Sequence, residues 1–298
     1  GDRDCSLQRR NQKVIEEAPA PALPRSVREA LHTSARRLAE SVGYRSAGTV
    51  EFVYDPVREE ASFLEVNTRL QVEHPVTEEV FGVDLVELML RLARDGADGI
   101  ADDVFTREWT PTGHAVEARL YAEDPAKGSL PSSGLVTQAV FPVATGLRVD
   151  GWVETGSEVS AFYDPMLAKV IATGETRDDA LDRLRDGLAG TRVDGIVTNA
   201  GLLRTLTDDL ELRTATHSTS TLDETEDPDP RIDVVAPGTM TTIQDLPGRT
   251  GYWQVGVPPS GPFDGASFAE ANRAVGNPEG APALEVTPTG PTLRFSAG

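Results

Sequence analysis

Apolar and polar residues change their period several times along this chain, and each change marks an element. The sequence Ser26-Val27-Arg28-Glu29 reads as a capping box opening a helix that runs to about Val42 and stops at Gly43. Two β-rich runs follow, Gly48–Tyr54 and Ala61–Asn67. The polar turn Asp55–Glu60 joins them and predicts an antiparallel pair. Val83, Leu85, Val86, Leu88, Leu90 and Leu92 carry helical spacing over Val83–Ala93, which ends before Gly96. Ala97–Thr112 reads as a polar connector. From Gly113 the pattern shortens into strands at His114–Tyr121, Gly134–Phe141, Leu147–Val149 and Leu167–Ala172. Helices at Arg177–Leu188 and Asn199–Leu206 come next. His217–Arg231, acidic over Asp223–Pro230, reads as a Pro-containing linker. The rest is rich in Gly, Pro and β-formers and is expected to be mostly β. No short-period repeat is evident.

Composition narrows the class. A length of 298 residues leaves room for two domains or three smaller ones. With 39% hydrophobic and 26% charged residues, the chain reads as soluble and globular, without an apolar run able to span a bilayer or a signal-peptide pattern. The single cysteine, Cys5, excludes an internal disulfide framework and suits a reducing cytoplasm. A net charge of −20 argues against nucleic acid or an anionic membrane as partner, although such acidity also serves plain solubility. The chain opens without Met, and Thr292–Phe295 reads as a strand cut short. The cut strand predicts a piece of a longer polypeptide.

The densest chemistry lies in Phe63–Pro75. If the backbone is extended there, Glu65, Asn67, Arg69, Gln71 and Glu73 share one face, while Leu64, Val66, Leu70 and Val72 point into a core. Carboxylates, amides and a guanidinium on one face suit a phosphate-and-metal site better than a solvated surface. An antiparallel partner strand would add Glu51 to Glu65 and Asn67. These are hard oxygen donors of the kind Mg²⁺ takes alongside substrate phosphates. Two unrelated surface carboxylates are the plain alternative. Arg69 and Arg119 offer planar donor forks for bicarbonate or phosphate. Glu73 is a candidate general base, or an ion-pair partner of Arg69 or Arg119, and the two roles are compatible. His74, placed before Pro75, is expected in an extended or turn conformation. It reads as structural, as does His32. No Cys/His cluster has zinc spacing, and no base is placed beside Cys5.

The run FLEVNTRLQVEHPVTE, with GTVEF at Gly48–Phe52, DCSLQRRNQK at Asp4–Lys13 and GHAVEARL at Gly113–Leu120, resembles biotin carboxylase, an ATP-grasp enzyme family. The resemblance covers roughly residues 1–210. It implies an α+β fold, with the C-terminal portion of an ATP-grasp domain over 1–110 and a biotin carboxylase C-terminal domain over 111–215. An acidic linker, 216–231, follows. By the same resemblance Glu51, Glu65 and Asn67 hold Mg²⁺ (or Mn²⁺). Arg69, Gln71, the Val72 backbone and Arg119 hold bicarbonate, and Arg119 faces biotin. Glu73 is the base, and Gln8, Asn11 and Lys13 approach the nucleotide. Asn11 stands where many of the family carry His, and resembles the urea-carboxylase branch. The family's Gly-rich lid and its upstream lysine do not occur in the sequence, which predicts weak ATP binding and no turnover by this chain alone. Met89, Met166 and Met240 are not followed by Lys, so the biotinyl carrier domain is expected outside this chain.

A second resemblance begins after Arg231. Val235–Asp245, Gly248–Tyr252, Val257–Asp264 and Glu285–Thr287 are similar to the start of allophanate hydrolase subunit 2 (KipA-like) carboxyltransferase domains. This implies that 232–298 begins a mostly β cyclophilin-like barrel. Together the two resemblances imply a cytoplasmic urea carboxylase. MgATP would drive carboxylation of biotin by bicarbonate, and the carboxyl group would pass to urea, giving allophanate. Guanidine is the rival acceptor. A biotin carboxylase of an acyl-CoA or pyruvate carboxylase system is a rival enzyme, which the tail argues against. A non-catalytic truncated module is the rival from another class. Homo-oligomers are common among biotin carboxylase domains.

Overall fold

The computed structural model describes residues 1–9, 12–100, 104, 108–223, 225 and 230–296. The chain divides into two compact units, Gly1–Pro228 and Asp229–Gly298.

In the first unit the opening elements are strands β1 (Asp4–Arg9) and β2 (Gln12–Ala18), helix α1 (Arg25–Ser41), and strands β3 (Thr49–Asp55) and β4 (Glu60–Asn67). Helices α2 (His74–Phe81) and α3 (Leu85–Asp95) and strand β5 (His114–Tyr121) follow. β1, β2, β5, Met166–Gly174 and Leu147–Gly151 form a five-stranded sheet in that order. The β2–β5, β5–Met166–Gly174 and Met166–Gly174–Leu147–Gly151 pairs are antiparallel, as is β1–β2. Every residue of β5 is buried. That suits a central strand covered on both faces, where apolar runs replace alternation. The core is built by Leu7, Leu120 and Leu167 from the sheet, and by Leu181, Leu184, Leu188, Leu203 and Leu206 from the helices Arg177–Gly190 and Ala200–Asp208. Thr176 and Asp179 close a reciprocal capping box at the start of Arg177–Gly190.

The alternation expected over Phe63–Pro75 holds only as far as Asn67. β4 ends there, residues 68–73 are irregular, and α2 begins at His74. Pro75 lies in the first turn of α2, where its missing N–H has no helical partner to lose, so His74 is helical rather than extended. Leu64 and Val66 are 56% and 43% exposed rather than core residues, because β3 and β4 form a two-stranded sheet of their own. The capping box expected at Ser26–Glu29 does not form. The helix starts at Arg25 behind Pro24, and Glu29 instead accepts a hydrogen bond from the Arg25 guanidinium at 2.7 Å. The expected strand Gly134–Phe141 is split into Gly134–Leu135 and Gln138–Val140. Part of the expected linker, and part of the connector 97–112, lie outside the described residues.

The second unit pairs Ile232–Ala236 with Thr292–Phe295, and Met240–Gln244 with Ala283–Thr287. It also contains a helix, Gly265–Ala274, absent from the mostly β expectation. The Asp264 carboxylate caps it by accepting from the Ala266 and Ser267 amides. Among the described residues, no helix is long and apolar enough to cross a membrane.

Candidate active site

β3 and β4 pair with Glu51 directly opposite Glu65 and Thr49 opposite Asn67. The Asn67 amide nitrogen donates to Glu51 Oε1 at 3.0 Å and to Glu65 Oε1 at 2.9 Å, so one amide ties the two carboxylates together. Glu51 Oε1 also accepts from Gln71 Nε2 at 2.5 Å and Lys13 Nζ at 3.0 Å. The described residues hold no cluster of three His, Cys, Asp or Glu side chains of metal-site form. Two carboxylates and an amide nevertheless fit Mg²⁺, which typically uses one or two protein carboxylates and fills its octahedron with water and phosphate oxygens.

The second group surrounds Glu73, at the N-cap position of α2 and only 2% exposed. Its carboxylate makes no capping bond. Instead Oε1 accepts from Lys13 Nζ at 2.7 Å and Oε2 from the Arg119 guanidinium at 2.9 Å. Burial alone would push the Glu73 carboxyl up, but the bond and charge of Lys13, with Arg3 behind them, hold it below the ordinary range. Glu73 is therefore ionised between two cations at neutral pH. Lys13 links the two groups by contacting Glu51 and Glu73 together.

Supporting contacts fix this arrangement. The Arg3 guanidinium donates to Gln71 Oε1 at 2.5 Å, Thr49 Oγ1 at 3.0 Å and Thr77 Oγ1 at 3.0 Å, joining β3 to α2. Lys169 Nζ donates to the Val72 carbonyl at 2.9 Å. Arg119 also contacts Glu16, a fully buried residue of β2. Burial raises the Cys5 thiol well above its ordinary value, and the Glu16 charge adds to the effect, so Cys5 is a protonated neighbour rather than a nucleophile.

Most of the expected residues converge. Glu51, Glu65, Asn67, Gln71, Lys13, Glu73 and Arg119 form one chain of contacts. Gln8 sits on β1 opposite Lys13. Asn11 lies outside the described residues. Arg69 does not join the group: it is exposed and donates to the neighbouring Leu70 carbonyl at 3.3 Å, because the strand that was to aim it has already ended. Arg3, Glu16, Glu117, Lys169 and Asn199 were missed. The available signal was a charge inside an otherwise apolar strand, as at Glu16 after Val14-Ile15 and at Glu117 within His114–Tyr121.

Three family models match the chain. Residues 1–97 match "Carbamoyl-phosphate synthase L chain, ATP binding domain", residues 117–224 match "Biotin carboxylase C-terminal domain", and residues 255–298 match "Carboxyltransferase domain, subdomain A and B". The class is thus a biotin carboxylase region running into a carboxyltransferase domain. Over almost its whole length, the chain is a homologue of the urea amidolyases and urea carboxylases. It is 50% identical to the urea amidolyase of Saccharomyces cerevisiae over 295 residues, which is 99% of this chain and 16% of that protein. The crystal structure of Kluyveromyces lactis urea carboxylase superposes with a TM-score of 0.90 at 51% identity, covering 99% of this chain and 26% of that one. The biotin carboxylase domain dimer of Hydrogenobacter thermophilus 2-oxoglutarate carboxylase, in complex with MgADP, ADP and bicarbonate, gives a TM-score of 0.68 at 37% identity. That match covers 75% of this chain and 48% of that one. The chain spans only about a sixth to a quarter of the urea amidolyase and urea carboxylase it matches.

Proposed function

We propose that this chain supplies part of the bicarbonate-activating centre of a biotin-dependent urea carboxylase, together with the beginning of its carboxyltransferase. The observation that carries the reading is the buried Glu73 carboxylate held between Lys13 and Arg119, next to the Glu51–Asn67–Glu65 patch.

Bicarbonate needs cations around its negative oxygens and a base for its proton. Lys13 and Arg119 supply the cations, with Arg69 entering from the surface and Gln71 and the Val72 backbone framing the site. Glu73 accepts the proton at a carboxylate oxygen as a bicarbonate oxygen attacks the γ-phosphorus of ATP, the bond from that phosphorus to the β–γ bridging oxygen breaks, and carboxyphosphate and ADP form. Glu51, Glu65 and Asn67 are the residues that would hold Mg²⁺ (or Mn²⁺), which supplies charge neutralisation at the transferring phosphoryl group. Gln8, Asn11 and Lys13 approach the nucleotide. Biotin, on a carrier domain outside this chain, would supply the nitrogen that takes up the carboxyl group, and Arg119 is the residue that would face it. Residues 1–110, 111–215 and 232–298 correspond to the ATP-grasp portion, the biotin carboxylase C-terminal domain and the beginning of a cyclophilin-like carboxyltransferase barrel. The matches to residues 1–97, 117–224 and 255–298 support this division. The acceptor is urea, the product allophanate and the compartment the cytoplasm, with homo-oligomers as the working form.

The test is ATP hydrolysis by the full-length polypeptide with bicarbonate, comparing urea, guanidine and no acceptor. Stimulation by urea is expected. Stronger stimulation by guanidine would reassign the acceptor, and hydrolysis indifferent to bicarbonate would overturn the reading as a whole.

A further inference from the structure

Behind Arg119 lies a pair of acids with no assigned role. Glu16 on β2 and Glu117 on β5 are directly opposite in the antiparallel register, so their side chains leave the same face. Both are 0% exposed. Neither carboxylate oxygen of Glu117 or of Glu16 has a hydrogen-bond partner, and Glu16 Oε1 forms an ion pair with the Arg119 guanidinium. Arg119 is two residues beyond Glu117 on the same face of β5, and Lys169 faces Arg119 from the next strand. Lys169 is itself turned to the Val72 carbonyl and Asp150. One guanidinium therefore serves two carboxylates, Glu16 behind it and Glu73 in front.

We propose that Glu16 is a positioning residue for the Arg119 guanidinium, and that Glu117 is the neutral half of a buried carboxyl pair behind it. This rests on the reading of Arg119 as the residue that faces biotin and bicarbonate. Two adjacent buried carboxylates cannot both ionise beside a cation already shared with a third. The protonated member must be the one without a cationic partner, which is Glu117. Burial, reinforced by the Glu16 charge, raises its carboxyl well above the ordinary range. Burial also raises Glu16, to about 7, even though Arg119 opposes the shift. Glu16 can therefore hold the guanidinium without neutralising it permanently. The ion pair keeps the Arg119 fork from collapsing fully onto Glu73, so its remaining N–H donors stay aimed at an incoming anion.

The experiment uses the full-length protein with free biotin. It compares bicarbonate-dependent ATP hydrolysis with and without biotin in wild type, Glu16→Gln, Glu16→Asp and Glu117→Gln. Glu16→Gln should lower biotin-dependent kcat/KM about tenfold to a hundredfold, the range a lost charge-assisted bond supports, and should also raise the KM for bicarbonate in the slower biotin-independent hydrolysis, because Arg119 is read as holding both ligands. Glu16→Asp should recover most of the loss, because the charge remains. Glu117→Gln, which keeps shape and neutrality, should stay within about twofold of wild type in both kcat and KM. Failure of Glu16→Asp to recover either activity lost in Glu16→Gln would make Glu16 merely structural and overturn the proposal. So would a loss in Glu117→Gln matching that of Glu16→Gln. Wild type that fails to respond to biotin would overturn the active-site reading itself, a different outcome from wild type that responds while Glu16→Gln behaves identically.

Discussion

Asn199 gives the sharpest quantitative test of how the site is built. β2 pairs with β5 up to the Ile15–Ala118 pair, and beyond it the Asn199 side chain replaces a neighbouring strand. Its amide nitrogen donates to the Arg119 carbonyl at 3.0 Å, and its amide oxygen accepts from the Tyr121 N–H at 2.8 Å. Its own backbone N–H donates to the Tyr121 carbonyl at 3.1 Å. The residue is 3% exposed, so water cannot readily substitute. Replacing Asn199 by Ala leaves one backbone donor and one acceptor unsatisfied in the interior. At about 1.5–2 kcal/mol each, the loss is about 3–4 kcal/mol. For a unit of this size, that is a fall in Tm of roughly 6–16 °C. The measurement is calorimetric or circular-dichroism melting of wild type and Asn199→Ala at matched pH and concentration. A fall below about 2 °C, the scale of an ordinary surface substitution, would refute the account of Asn199 as a surrogate strand.

Other perturbations test other layers. Leu203 is fully buried between the sheet and the helix Arg177–Gly190, so Leu203→Ala should cost about 2–5 kcal/mol in denaturant titration; a change under ~1 kcal/mol would show that the core closes around the gap. Glu16 binds its proton more tightly when folded, with a carboxyl raised from the ordinary 4.5 to about 7. The proton-linked cost of its burial is therefore absent below pH 4.5, and stability is lost as pH rises from there through about 7, by an amount on the order of 3 kcal/mol. Glu16→Gln should flatten the decline of Tm between about pH 5 and pH 8, and an unaltered slope would contradict the assignment. Glu65→Gln in the full-length enzyme should raise the Mg²⁺ concentration for half-maximal ATP hydrolysis about tenfold or more, and an identical Mg²⁺ titration would remove Glu65 from the metal site.

Much of the frame was legible because its periods are local. His114–Tyr121 is a strand with the boundaries expected, and the β3–β4 pair brings Glu51 against Glu65 as alternation required. Legibility failed where tertiary contacts outrank the local pattern. The alternation through Arg69 to Glu73 looked continuous, yet the chain leaves the strand after Asn67 and enters α2 at a proline that tolerates a first helical turn. Glu73 still reaches Arg119, but by way of a helix start rather than a strand face. Ser26 looked like a cap, although Pro24 already supplies the extended entry with φ −57° and ψ 145°. Arg3, Lys169 and Asn199 act through contacts 46 to 97 residues distant, which no periodicity encodes.

The hairpin that carries Glu51 and Glu65 pairs with no third strand among the described residues. A two-stranded ribbon is marginal by itself in water. Helix α1 lies against both strands, and polar contacts add to it: Arg3 at Thr49, Lys13 and Gln71 at Glu51. The ribbon can thus swing open at a smaller free-energy cost than the five-stranded sheet, and its amides should exchange with solvent on a faster clock. A cation captured by the closed ribbon alone adds RT ln(1 + [L]/Kd) to that cost. On the proposed reading of Glu51, Glu65 and Asn67 as the metal ligands, order in the ribbon and occupancy by the ion would be a single linked equilibrium.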